Sequence, residues 1–249
     1  MKLVATKINS KGAQQRKLPV QTISGVRFEL RCGATLIVSP GAGIPVTAVE
    51  AHIRGGPSLD PEGLEGLAYL TGGLTDQGTK DYDERQIAEL LEPAGGDVQG
   101  ESSGLSGSIV SADWKILLNV MSGMLVAPTF PAVEIRRQKD RLLQRLHNES
   151  AEPRQLGAMA FRRMVYGDHW LGRPAYGSIE SVERIEPKDL RAYHRKNWVA
   201  SRCIIGVCGD LDPNEVRDFL DRKLAKWKPG KQLPPRTPQF PAPKQAVQV

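Results

Sequence analysis

The stretch G-L-A-Y-L-T-G-G at residues 66–73 is a short apolar helix pattern that ends in two glycines. Leu64, Leu67, Leu70 and Leu74 recur at the three- and four-residue spacing of a buried helix face. The spacing predicts a helix from Leu64 to about Leu74. Two glycines inside a helix each cost about 1 kcal/mol relative to Ala, so the helix can equally end at the glycine pair.

Three strand patterns precede this helix. Val26–Arg31 and Ala34–Val38 are joined by Cys32-Gly33, which predicts a hairpin whose tight turn uses the positive φ that glycine adopts easily. Val46–Ile53 predicts a third strand, and Gly55-Gly56-Pro57 ends it.

The rest of the chain alternates helix patterns with two further strand patterns. Asp83, with Gln86 three residues on, predicts a capping box, and residues 98–110, rich in Gly and Ser, predict a lightly built edge strand. This order predicts an α+β sandwich of a mostly antiparallel sheet with helices packed on one face. The other predicted elements are a helix capped by Asp113, helices at 132–148 and 153–166, a helix opened by Glu186-Pro187, a strand at 202–209 and a helix opened by Asp212-Pro213.

Composition divides the chain into three parts. Residues 1–20 are polar and basic and predict a flexible arm, whereas residues 21–228 carry the periodic patterns and predict one domain. Residues 229–249 are rich in proline and lack periodicity, which is typical of an extended linker or tail.

Composition and charge also limit the function classes. With 40% hydrophobic and 25% charged residues the chain resembles an ordinary globular protein, and no run approaches the roughly 18 apolar residues that span a bilayer. The first residues lack an apolar signal core, so we expect a cytoplasmic location, although a periplasmic or organellar one is also compatible.

Three cysteines without framework spacing predict reduced thiols. The net charge of +6 permits nucleic-acid binding, but the basic residues are not interleaved with aromatics, which favours a solvated basic surface and no nucleic-acid or membrane partner.

The order of these features resembles the insulinase-like metallopeptidase family, which includes pitrilysin and the mitochondrial processing peptidase. The resemblance covers roughly residues 26–227 and implies a processing-peptidase-like domain, the first of two homologous domains. It is carried by five stretches in the right order: Arg31-Cys32-Gly33-Ala34, Gly55-Gly56-Pro57 leading to Gly66-Leu67-Ala68, Asp76-Gln77-Gly78-Thr79, the segment Tyr166 to Pro174, and Val207-Cys208-Gly209-Asp210-Leu211.

Active members of that family carry an H-x-x-E-H motif on the helix after Gly-Leu-Ala. Two imidazoles four residues apart bind one zinc ion, and the glutamate between them activates its water. In this chain the resemblance places Tyr69 and Gly73 at the histidine positions and Gly72 at the glutamate position. The third ligand position falls on Arg145 when counted from Pro153, and near Glu149 when counted from Gly73. The resemblance therefore implies degenerate zinc-site positions, no catalytic residue and no metal or other cofactor in this chain.

No other catalytic pattern replaces this site. The four histidines, His52, His147, His169 and His194, have no spacing that lets two of them share a helix face. The sequence also lacks a nucleophile elbow and a phosphate-binding loop.

The residues Gly100, Glu101, Ser102 and Ser103 match the family's edge strand beside the active site. In active members that strand pairs with the extended substrate backbone, so the resemblance implies peptide binding here. Close packing explains the small residues equally well.

The resemblance implies a non-catalytic subunit or domain of a zinc metallopeptidase complex. Its expected partners are a homologous subunit or domain with an intact H-x-x-E-H motif, which would bring the zinc, and the peptide substrate held in a shared chamber. Two alternatives remain open: a structural core subunit without a proteolytic role, and an active zinc endopeptidase with an unrecognised site.

Overall fold

One six-stranded sheet with helices on one of its faces forms the body of the chain. The structure is a computed structural model that describes residues 25–41, 43, 45–167 and 169–234. The predicted arm at residues 1–20 and residues 235–249 of the predicted tail lie outside the described residues.

The sheet is mostly antiparallel, as the sequence predicts. Its strands run in the order β1-β2-β6-β3-β5-β4, and β2 and β6 form a parallel pair while the other neighbours are antiparallel. The strand β4 therefore lies at one edge. The strands are β1 Val26–Glu29, β2 Thr35–Pro40, β3 Val46–Ile53, β4 Asp97–Glu101, β5 Gly104–Val110 and β6 Cys203–Gly209.

The two faces of the sheet differ. Along β3, exposed and buried residues alternate strictly, and the exposed set is Val46, Ala48, Glu50 and His52. The same alternation in β6 buries Cys203 and exposes Cys208. One face is thus covered by helices, and the other is open in the described part of the chain.

The helices cover the buried face, where α3 packs against β5 and β4 and α8 packs against β2. Fully buried side chains such as Leu36, Leu117, Leu118, Ile205 and Leu220 fill the layer between them. No helix among the described residues is long and apolar enough to cross a membrane. The helices are α1 Leu67–Gly72, α2 Glu84–Leu91, α3 Trp114–Val126, α4 Ala132–Ser150, α5 Pro153–Tyr166, α6 Ile179–Arg184, α7 Pro187–Asn197 and α8 Pro213–Lys223.

The start of α2 is fixed by hydrogen bonds between side chains and backbone N–H groups. The Asp83 carboxylate accepts a hydrogen bond from the Gln86 N–H at 2.8 Å, and the Gln86 side chain accepts one from the Asp83 N–H at 2.9 Å. The predicted capping box at α2 is confirmed.

Three local predictions were wrong, and one helix was missed. The predicted single strand at residues 98–110 is the hairpin of β4 and β5, because Ser102 and Ser103 form a two-residue turn. The helix α1 is shorter than predicted, since Gly66 adopts a left-handed φ of 96° and the helix starts after it. Asp113 makes no side-chain cap bond, because it closes a 3-10 turn that runs directly into α3. The short helix α6, started by Ser178, was not predicted.

Candidate functional site

The glycine pair lies at the carboxyl end of α1. Gly72 is the last residue of the helix, and Gly73 caps it, with its N–H donating to the Tyr69 carbonyl at 3.0 Å. The helix end that the sequence allowed at these glycines is therefore present. The carboxyl end of α1 points at the edge strand β4.

Gly72 has no room for a side chain. A Cβ at this position would overlap the carbonyl oxygen of Glu101 and lie 2.8 Å from the Ser102 nitrogen. Gly100 faces it in the same way, since a Cβ there would overlap the Gly72 carbonyl oxygen. Two glycines thus let the backbone of α1 meet the backbone of β4, and the position that matches the general base cannot hold a glutamate in this packing.

Tyr69 is covered by aromatic and cationic groups. Its ring packs edge-on against Tyr176, with ring centroids 4.8 Å apart at an interplanar angle of 82°. The Arg145 guanidinium lies 4.2 Å from the centre of the Tyr176 ring, and its Nε donates to Glu149 Oε1 at 2.7 Å. This ion pair raises the pKa of Arg145. Arg145 is therefore joined to Tyr69 through Tyr176, and Glu149 lies one helical turn further along α4.

Tyr176 was not named by the sequence analysis. Its loop is fixed to the start of α1, where the Ser181 hydroxyl donates to the Glu65 carbonyl at 2.8 Å. A Cβ on Gly66 would lie 2.6 Å from the Tyr176 carbonyl oxygen, so a glycine is needed for this approach. The signal in the sequence is an aromatic residue two positions after Pro174, where the matched segment ends.

These residues do not fit a zinc ion. Zinc in proteins takes imidazole, thiolate or carboxylate ligands. The matched positions offer a phenol, two backbones without side chains and, at the third position, either the Arg145 guanidinium or the single carboxylate of Glu149. The described residues contain no group of three or more His, Cys, Asp or Glu side chains able to hold a metal.

The histidines lie apart from one another. His52 is on the open face of β3 and His147 is exposed on α4, whereas His169 accepts a hydrogen bond from the Leu171 N–H. His194 is buried between Phe130 and Trp198, and its burial lowers its pKa to about 4. Each has a separate structural setting.

A polar cleft of about 360 Å³ remains beside the glycine pair. Aromatic rings line one wall and the end of β4 lines the other. The lining residues are Tyr69, Leu70, Gly73, Asp76, Gln99, Gly100, Glu101, Ser102, Gln138 and Tyr176.

The edge strand β4 is partly closed at the predicted peptide-binding residues. Asp76 Oδ2 accepts a hydrogen bond from the Gly100 N–H at 3.1 Å, and burial raises the pKa of this carboxyl. The Ser103 carbonyl accepts from the Ile53 N–H at 2.6 Å. Close packing thus holds Gly100 and Ser103, while Gln99 and Glu101 are exposed. Peptide binding by Gly100, Glu101, Ser102 and Ser103 stays a prediction.

A buried carboxyl fixes the start of α1. Asp60 accepts hydrogen bonds from the Gly66 and Ala68 N–H groups at 2.9 and 2.8 Å. Burial raises its pKa to about 7, although these two bonds lower it. Asp60 is therefore a structural anchor of the helix that carries Tyr69.

Two family profiles match adjacent parts of the chain. The one described as "Insulinase (Peptidase family M16)" matches residues 38–178, and "Peptidase M16 inactive domain" matches residues 184–249. The chain is 21% identical over 205 residues to "Uncharacterized zinc protease YmxG" of Bacillus subtilis (strain 168), covering 81% of this chain and 49% of that protein. It is 22% identical over 192 residues to "Non-peptidase homolog YmxG" of Helicobacter pylori, covering 73% and 43%.

Among solved structures, the peptidase M16 inactive domain from Pseudomonas fluorescens superposes with a TM-score of 0.81 at 23% identity, over 89% of this chain and 55% of that one. The likeness shows the shared fold. The chain spans about half the length of the curated relatives it matches. Because the insulinase profile matches more than half of the chain, the chain belongs to the insulinase (M16) peptidase family.

Proposed function

We propose that this chain forms part of the wall of a peptide chamber, together with a homologous M16 subunit or domain that carries an intact H-x-x-E-H motif. The partner would supply the zinc and the general base. This chain would supply shape, charge and a strand edge. One observation carries the proposal: the backbone of β4 fills the space that a catalytic glutamate at position 72 would need.

The open sheet face has the properties of a chamber wall. Its centre, on β3, β5 and β6, carries mainly small or polar side chains such as Ala48, Ser106, Ser108 and Cys208. A surface of this kind accepts an extended peptide without burying large apolar groups. Charged side chains are sparse at the centre of this face, where Glu50 lies in the middle of β3.

The edge of β4 supports a role in peptide binding. Since the Gly100 N–H points away from β5 towards Asp76, the alternation of an antiparallel ladder directs the N–H and C=O of Val98 to the same free side. An extended peptide can pair with these groups as an added strand. The cleft beside Tyr69 would receive its side chains.

One relative supports a non-catalytic half, since it is described as a non-peptidase homolog, whereas another is described as an uncharacterized zinc protease. This chain covers 43% and 49% of them. A domain of this size therefore corresponds to about half of such a protein. We therefore propose that this chain pairs with a second half that carries the zinc.

Co-purification tests the proposal. The tagged full chain is recovered from a native extract, and the material that elutes with it is identified by mass spectrometry and assayed for zinc and for chelator-sensitive peptide cleavage. We expect a homologous chain with an intact H-x-x-E-H motif, about one zinc per pair, and cleavage activity. Extract without the tagged chain is the control.

The same experiment distinguishes the proposed role from that of a structural core subunit. Stable partners that lack the motif and show no cleavage would contradict the proposal and favour a structural core subunit. Recovery of the chain alone, from extract that contains the motif-bearing homologue, would contradict both roles.

A further inference from the structure

We infer that the open sheet face beside β4 selects an extended peptide whose basic side chains, four residues apart, face Asp97 and Glu101. The inference rests on the proposed function and names the class of peptide that the same wall would hold. It follows from where the charges of the sheet lie, and their local sign is opposite to the net charge of +6.

Carboxylates are the charged groups on this part of the face. The strand register places the side chains of Asp97, Gln99 and Glu101 on the same face as the exposed residues of β3. Glu50 lies on that face in the middle of β3. The part of the face formed by β3, β4 and β5, all of whose residues the structure describes, therefore carries three carboxylates and no Lys or Arg.

The basic residues of the chain lie elsewhere. Arg27 is on the same face but at the far edge of the sheet, on β1, where Glu29 follows it two residues along. The helix α5 carries three arginines and no carboxylate, and the last turn of α7 contains Arg195 and Lys196. The face beside β4 is thus locally acidic, and such a surface attracts cations even on a chain of positive net charge.

Hydrogen bonds hold the two carboxylates of β4 over the face without neutralising them. The Ser108 hydroxyl donates to Asp97 Oδ1 at 2.5 Å. The Ser106 hydroxyl donates to Glu101 Oε1 at 3.0 Å. None of the ion pairs between described residues involves Asp97, Glu101 or Glu50. An added ammonium or guanidinium group can therefore form charge-assisted hydrogen bonds with them.

The register of β4 sets the spacing of the basic residues. A strand added to β4 continues the pleat, so every second side chain of the peptide lies on the open face. Asp97 and Glu101 are four positions apart on this face, with Gln99 between them. Basic side chains four residues apart in the peptide therefore face both carboxylates. Opposite charges at facing positions of neighbouring strands stabilise their pairing.

The cleft beside the glycine pair has the same preference. Its described lining contains the carboxyl groups of Asp76 and Glu101, two tyrosine rings and no Lys or Arg. Carboxylates and aromatic ring faces both attract cations. Arg145, which contacts one of these rings at Tyr176, is paired with Glu149. The cleft and the face together thus favour a basic peptide over an acidic one.

Peptide binding measures this selection. The full chain is titrated against fluorescent peptides that share one Thr- and Val-rich background and carry Lys, Gln or Glu at two positions four residues apart, and Kd is measured by anisotropy. We expect the Lys peptide to bind most tightly and the Glu peptide most weakly. A Lys peptide with a spacing of three should bind less tightly, because its second Lys lies on the other face of the added strand.

Isosteric variants locate the contact. Asp97→Asn with Glu101→Gln keeps an oxygen acceptor for each serine and should weaken binding of the Lys peptide at least about threefold, while binding of the Gln peptide stays unchanged. Asp140→Asn with Glu183→Gln is the matched control, since it removes the same charge from exposed positions on the helices and should change none of the Kd values. Asp97→Lys with Glu101→Lys should reverse the order, so that the Glu peptide binds more tightly than the Lys peptide.

Several results would overturn the inference. Equal Kd values for the three peptides would remove the selection and leave the chamber role in place. A preference for Lys that persists in Asp97→Asn with Glu101→Gln would show that the contact lies elsewhere. Binding of the Lys peptide only after removal of residues 1–20 would mean that the occupant is the chain's own basic arm. If no peptide binds, the inference fails, and co-purification of the motif-bearing homologue still decides the proposed function independently.

Discussion

The carbonyl oxygen of Glu101 occupies the space that a Cβ on Gly72 would need. The end of α1 and the edge strand β4 are therefore in backbone contact at the position that matches the general base of an active M16 peptidase. Position 72 therefore has neither a side chain nor room for one. Placing a glutamate there would require the two elements to separate.

Gly72→Ala should destabilise the fold by about 1–3 kcal/mol or more, because the added methyl meets rigid backbone and not the end of a flexible side chain. Urea unfolding measures the loss. Gly73→Ala is the matched control, since a Cβ there lies 3.4 Å from the Tyr69 carbonyl oxygen. Equal stability of the two variants would show that α1 and β4 are not in contact.

Arg145→Ala should cost only about 1 kcal/mol. It removes a partly exposed i,i+4 ion pair to Glu149 and a cation–π contact with Tyr176, each worth a fraction of a kcal/mol to about 1 kcal/mol. Arg141→Ala, on the exposed side of the same helix, is the control and should cost less. A loss of several kcal/mol for Arg145→Ala would mean that the cluster with Tyr69 and Tyr176 is a main support of the fold.

Asp76→Ala should free the Gly100 N–H at the edge of β4, because the carboxylate is its hydrogen-bond acceptor. Amide hydrogen exchange at Gly100 should become at least tenfold faster, in line with the 1.5–3 kcal/mol of a hydrogen bond to a charged group (about 10- to 100-fold). Mass spectrometry of fragments covering residues 97–101 measures it. Asp81→Ala, at a nearby exposed position, should leave this exchange unchanged. Unaltered exchange in Asp76→Ala would contradict the closed edge.

The stability of the chain should carry a component that falls as pH rises from about 4 to about 7. Burial raises the pKa of Asp60 to about 7 from a usual value of 3.8, so the folded chain binds more protons than the unfolded chain across this window. The free energy of unfolding from this group then decreases by up to about 1.4 kcal/mol per pH unit. In Asp60→Asn this component is absent, so the stability difference between the unsubstituted chain and the variant should shrink as pH rises. Asp140→Asn, exposed on α4, serves as the control, and a pH-independent difference for Asp60→Asn would refute the raised pKa.

The fold could be predicted from the sequence largely because periodicity and capping are local. The alternation in β3 and the capping box at Asp83 each depend on residues within one element. The mostly antiparallel sheet followed from their order. The hairpin at Ser102-Ser103 was missed because its glycines and serines carry almost no alternation of polarity.

The residues at the candidate site could be assigned from the sequence, but their tertiary contacts could not. The positions Tyr69, Gly72 and Gly73 follow from one short motif. The contact between Gly72 and Glu101 joins residues 29 positions apart, and the contact of Arg145 with Tyr176 joins two separate elements. Tertiary packing alone creates these contacts, and no local pattern encodes them.

Zinc content tests the central claim most directly. The purified full chain is dialysed against metal-free buffer and its zinc is measured by mass spectrometry, alongside a peptide-cleavage assay with and without a chelator. The positions Tyr69, Gly72, Gly73 and Arg145 offer no suitable ligand set, so we predict far less than one zinc per chain and no chelator-sensitive cleavage. Zinc near one per chain, together with cleavage that the chelator abolishes, would contradict the account.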